Sequence, residues 1–201
     1  MQEEPRDFPT IVEALKSPWT YFIFAILAMW TALENMHHLH FTLPLAFALS
    51  LMIKIDIKHM ILPDSINLFL FALGLVAHTA LYGNFMFSIL GALFGFGLFF
   101  FIFYLTYKIK GEPSMGFGDV KFITALGAWV GFMGIPLILV WASFLAGIFI
   151  IFKTLVQKHY KNVPFAYGPF LAIAGWLSFH YTYQSWAVIL DIRQQIIGLF
   201  S

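Results

Sequence analysis

The chain has 201 residues, of which 61% are hydrophobic and 10% charged, with a mean hydropathy of +0.85. An average soluble domain carries about 25% charged residues, so water is not its main solvent. The 11 Lys and Arg against 10 Asp and Glu leave a net charge of +1. They form no basic face able to neutralise a phosphate backbone, so no nucleic-acid partner is expected. Cysteine is absent, which removes disulfides, thiolate metal sites, iron–sulfur clusters and cysteine nucleophiles; any catalyst must use oxygen or nitrogen groups.

Residues 1–18 hold Glu3, Glu4 and Asp7 and no small-residue cleavage site behind an apolar run, so they do not read as a removable signal peptide. Phe8, Ile11, Val12 and Leu15 recur at helical spacing opposite Glu13 and Lys16, which predicts a short helix lying in the membrane interface. Apolar segments that meet or approach the roughly 20 residues of a span follow near 19–33, 41–55, 66–82, 86–107, 120–134 and 136–156. A seventh covers about 168–183. The last, 186–200, is interrupted by Asp191 and Arg193 and is either an eighth span or an interfacial helix. The expected fold is therefore all-α and polytopic, with about seven or eight transmembrane or interfacial helices in one domain over 1–201.

Placing the N-terminus in the cytoplasm puts 56–65, 108–119 and 157–167 on the cytoplasmic side together with nearly every Lys and Arg, and leaves the opposite loops without any. That is the pattern of the positive-inside rule. Gly91 with Gly95 and Gly127 with Gly131 lie four apart on apolar segments, a spacing that lets helix backbones approach closely in lipid.

An ionisable group at membrane depth is costly, so each one is a functional hypothesis. In KIDIKHMILPDSIN, residues 54–67, Asp56 closes a span, while Asp64 or Ser65 is placed to cap the next helix after Pro63. In KIKGEPSMGFGDVKF, residues 108–122, Gly111, Pro113, Gly116 and Gly118 break any helix before Asp119 begins the fifth span. The glycines permit a sharp turn and close approach to the acid. An aspartate at that helix start would repel a phosphate, which argues against a nucleotide site.

With the alternation of spans above, Asp56 and Asp119 fall at the same membrane face. Two carboxylates sharing a site titrate as a pair, one protonated and one ionised, and can activate water against a peptide carbonyl. The alternative is two separate interfacial acids. The helix ends suggest a division of labour: Asp119, at a helix N-terminus, as the ionised base, and Asp56, at a helix C-terminus, as the acid, unless Lys58 reverses it. Glu112 and Asp64 lie on this side and could attract a basic peptide. His37, His38 and His40 could suggest a metal, but Glu34 is the sole neighbouring carboxylate and they fall on the opposite side, so no metal is expected.

GFGD at 116–119 matches the GxGD signature of intramembrane aspartic proteases. Asp56 followed after six residues by Pro63 and Asp64 resembles the first motif of bacterial type IV prepilin peptidases. MGFGDVKFITALGAWVG, residues 115–131, and PFAYGPFLAIAGW, residues 164–176, resemble that family's later landmarks, so that the resemblance covers roughly 41–180. It implies a catalytic pair at Asp56 and Asp119, supported by Gly116, Gly118, Asp64 and Lys121. It also implies cleavage of the short basic leader from prepilins or pseudopilins at the cytoplasmic face of the bacterial inner membrane, without metal or organic cofactor.

Full-length members carry a cysteine-containing zinc domain, associated with N-methylation, between the first two spans. Here that connection is only ENMHHLH and cysteine is absent, so the sequence reads as a short form not expected to methylate its product. The PFGPF-like string holds Ala166 and Tyr167 inside it. An ion-coupled transporter and a non-catalytic assembly factor with this fold are the competing readings. The transporter lacks evident internal repeats or midplane carboxylates.

Overall fold

Proline and glycine, rather than polar loops, set the limits of the helices. The computed structural model describes residues 7–34, 39–111, 115–156 and 165–182, and the regular structure of these residues is entirely helical. The elements are α1 (Asp7–Lys16), α2 (Pro18–Glu34), α3 (Leu39–His59), α4 (Asp64–Tyr82), α5 (Phe85–Lys110) and α6 (Phe117–Val156), followed by α7 over 168–182. Four of them, α3 to α6, are long and apolar enough to cross a membrane, or five if α1 and α2 form one bent span. The expected all-α, polytopic architecture is present; the segment 186–200, His37, His38 and Glu112 lie outside the described residues.

The α1–α2 junction bends by 71°. Pro18 disfavours a helical residue before it, and the carbonyl of Ala14 left at the bend accepts from the Ser17 N–H and the Thr20 hydroxyl. The predicted short helix thus forms as α1, with Ala14 buried and Ile11 and Leu15 packed on the core. It lies against the end of α3, where Glu13 bonds Lys58 and His59.

Between α3 and α4 the turn is tight: Met60 takes a left-handed φ of 53° and its N–H closes on the Asp56 carbonyl. Pro63 is the N-cap of α4, so Asp64 is its first helical residue rather than the cap. At the other end Gly83, φ 70°, terminates α4, and the Asn84 side chain caps α5 by accepting from the Phe87 N–H.

A straight 40-residue helix would be about 60 Å long, twice the thickness of a bilayer core. The chain avoids this at Gly131, whose φ of 68° and ψ of −177° interrupt α6. Neighbouring contacts show the two arms to be antiparallel. On the first arm Leu126 meets Gly175 and Trp129 meets Phe179, whereas on the second Gly134 lies by Thr182 and Phe149 packs against Phe170. The sequence places this boundary at 135, beside Pro136. Pro136 instead lies inside the second arm, five residues beyond the break, where it removes one backbone donor but does not turn the chain.

Breaking a helix in an apolar interior orphans carbonyls that must be satisfied by neighbours. His78 Nδ1 donates to the Trp129 carbonyl at 3.0 Å, and the Ser88 hydroxyl to that of Ala128 at 2.6 Å. Both side chains are buried. A Cβ on Gly91 or on Gly127 would overlap the backbone of the other helix, so α5 and the first arm of α6 touch main chain to main chain there. Gly131 joins that contact, yet its larger part is the break itself. Trp129 fills the space left by Gly74 and donates its indole N–H to the Leu70 carbonyl at 2.8 Å.

Candidate active site

Asp56 and Asp119 are both buried, 5% and 8% exposed, in the core of a chain with few charges. Asp56 projects from the start of the last turn of α3. Its Oδ2 accepts the Gly168 N–H at 2.8 Å, which ties the end of α3 to the start of α7. Asp119 stands in the first turn of α6. Its N–H donates to the Gly116 carbonyl at 3.1 Å, and its carboxylate accepts from the Gly116 N–H, a reciprocal cap that anchors the acid to its own helix start.

The pair is brought together by a common neighbour. Leu62, buried in the turn between α3 and α4, sits where a Cβ on Gly118 would come within 3.2 Å of it and one on Gly168 within 3.0 Å. The two glycines therefore approach the same side chain from opposite elements. Asp56 lies close enough to Asp119 for its charge to act there, and the Asp119 charge also reaches Tyr167. The phenol of Tyr167, in the loop before α7, hydrogen-bonds with Ser143, and burial pushes its pKa above the usual value of 10.0. It stays a neutral hydroxyl beside the pair. Gly116 and Phe117 are exposed, and among the described residues this thin glycine turn lies over Asp119.

Each aspartate has a lysine two residues on, and both lysines are turned to other acids. Lys58 pairs with Glu13 on α1. Lys121 holds both carboxylate oxygens of Asp64, at 2.7 and 2.6 Å, and lies over the Phe117 ring at 5.3 Å. Asp64 and Lys121 thus clasp α4 to α6 at the rim, outside the buried pair. Among the described residues no ion pair involves Asp56 or Asp119, and no group of three His, Asp or Glu side chains could hold a metal ion. His40 packs against the Phe41 ring at the opposite end of α3.

Gly168 is the site residue that the sequence does not single out. Its signal is the string PFAYGPF, in which a glycine precedes a proline at a helix start; the backbone N–H is what reaches Asp56, and the inserted Ala166 and Tyr167 do not prevent it.

The fold and the buried carboxylates define a polytopic α-helical membrane protein with an acid pair at one end of its bundle. The sequence profile of the Type IV leader peptidase family matches residues 43–151, more than half of the chain and including both aspartates, and the chain belongs to that family. It is similar to the prepilin leader peptidase/N-methyltransferase of Aeromonas salmonicida (strain A449), 35% identical over 127 residues, which are 62% of this chain and 43% of that protein. The protein of the same name from Pseudomonas aeruginosa is 35% identical over 135 residues, 67% of this chain and 47% of the relative. That from Dichelobacter nodosus is 36% identical over 170 residues, 80% and 57% respectively. The chain spans about half the length of these relatives. No solved structure matches.

Proposed function

We propose that this protein is a membrane aspartic endopeptidase that removes the basic leader of a type IV prepilin or pseudopilin at the cytoplasmic face of the bacterial inner membrane. The observation that carries the reading is the approach of two buried acids, Asp56 and Asp119, from separate helices, beside the Leu62 side chain that Gly118 and Gly168 both meet. Family membership and the names of the relatives supply the substrate class.

In this reaction one carboxylate takes a proton from water as the water oxygen bonds to the scissile carbonyl carbon, and the other donates its proton to the carbonyl oxygen. The tetrahedral intermediate collapses with cleavage of the C–N bond, the leaving nitrogen receiving a proton from the pair. Both carboxylates accept a backbone N–H, Asp119 from Gly116 and Asp56 from Gly168, so the helix-end argument alone does not divide base from acid between them. Lys58 is held by Glu13 and does not reverse that argument.

The lysines support this orientation: those among the described residues, from Lys16 to Lys153, lie at the helix ends that carry the aspartates, the distribution that the positive-inside rule expects of a cytoplasmic end. The test is to incubate the purified protein with a peptide joining a short basic leader to an apolar helix, and to map the products by mass spectrometry. Cleavage at the leader–helix boundary supports the reading. An intact peptide under conditions where the protein is folded contradicts it.

A further inference from the structure

A cavity of about 320 Å³ opens between α1 and the end of α3, lined by Glu13, Lys16 and Ser17 on one side and Lys54, Ile55 and Lys58 on the other. It backs onto the aspartate site without belonging to it: Ile55 and Asp56 are successive residues of one helix, and Asp56 points away to Gly168. Three lysines face a single acid, so the cavity keeps an excess of positive charge. Glu13 is already engaged by Lys58 and His59, whereas Lys16 and Lys54 form no ion pair among the described residues.

Its depth in the membrane is marked by the residues around it. The 71° bend at Ser17 turns α1 across the end of the bundle, and Trp19 and Tyr21, 63% and 51% exposed, begin α2 immediately beyond. Tyr104 and Tyr107 are exposed near the end of α5 that carries Lys108 and Lys110. Exposed Trp and Tyr gather at the level of lipid headgroups. A basic pocket at that level, with a volume in the range of small-molecule sites, suits a phosphate diester carried on a lipid.

We propose that the α1–α3 cavity binds the phosphate headgroup of an anionic phospholipid, with Lys16 and Lys54 as its principal ligands. The site stands independently of the proteolytic reading.

The purified full chain, in neutral detergent, is equilibrated with equimolar phosphatidylglycerol and phosphatidylcholine, and retained lipid is counted by native mass spectrometry. The wild type retains phosphatidylglycerol preferentially. At about fivefold per lysine, Lys16→Gln and Lys54→Gln each weaken that preference about fivefold, and Lys16→Arg with Lys54→Arg preserves it. If one Gln variant does not fold, the other carries the test. A wild type without preference, or Gln variants that keep it, overturns the proposal. So does an equal loss in Lys108→Gln/Lys110→Gln, which would mean a diffuse field rather than a site. Inorganic phosphate that raises the unfolding temperature in lipid-free detergent as much as phosphatidylglycerol does would make this an ion site and not a lipid site.

Discussion

Gly168 couples two elements through one hydrogen bond and has no room for a side chain. A Cβ there would fall 2.7 Å from Asp56 Oδ2, so Gly168→Ala must push the carboxylate or the α7 start aside. Misplacing a catalytic group by about 1 Å costs about 10²-fold; Gly168→Ala is therefore expected to lower peptide cleavage on that order while the protein still unfolds cooperatively, as turnover and thermal melts in detergent would show. The rim pair behaves differently. Asp64 and Lys121 are 63% and 38% exposed at their side chains, where solvent screens an ion pair. Lys121→Ala should then change stability by less than about 1 kcal/mol, and a larger drop in the melting profile would mean that the clasp holds α4 to α6 more tightly than its exposure allows. Both acids of the pair were legible in the sequence because a carboxylate at membrane depth is conspicuous. The backbone N–H of Gly168 was not, since a main-chain donor leaves no residue-type signal.

At the scale of elements, α6 shows what pattern reading catches and what it misses. Hydropathy separated two spans in 120–156, and the structure has two antiparallel arms there. Proline drew the sequence boundary to 135, but the chain turns at Gly131, where a φ of 68° combined with a ψ of −177° is open essentially to glycine alone. The partners of that break, His78 and Ser88, lie 51 and 40 residues from the carbonyls they satisfy, a distance no local pattern spans. His78→Leu keeps the bulk and removes the donor, leaving the buried Trp129 carbonyl unpaired. The expected loss is about 1–3 kcal/mol, read from chemical or thermal unfolding in detergent; an unchanged midpoint would show that another donor replaces the imidazole. The four-residue spacings of Gly91 with Gly95 and of Gly127 with Gly131 mark close-packing sites, and the structure pairs Gly91 on α5 with Gly127 on α6, a partnership that spacing alone does not name. Gly127→Leu forces α5 and α6 apart, and the large overlap with backbone should exceed the about 1–3 kcal/mol typical of an overpacked core.

Across the whole molecule, helices that alternate in direction gather the turns 60–63 and 115–116 and the loop 165–167 at one end, and the site is assembled from these three connections. The topology was readable because the spans are long and nearly uncharged. The closeness of the third connection was not, because it depends on α7 returning beside both arms of α6. Since the chain has no cysteine, single cysteines report sidedness cleanly. A cysteine at Asn84, on the turn between α4 and α5, is expected to react with a membrane-impermeant thiol reagent from outside the inner membrane, and one at Met60 only after the membrane is opened; the reverse pattern would invert the orientation.

The central claim is that Asp56 and Asp119 act as one catalytic pair. Its most direct test is cleavage of the leader–helix peptide by Asp56→Asn and by Asp119→Asn, each verified as folded. The account predicts a loss of at least about 10²–10⁴-fold in both, the range of general acid–base catalysis. A wild-type rate in either variant would contradict it.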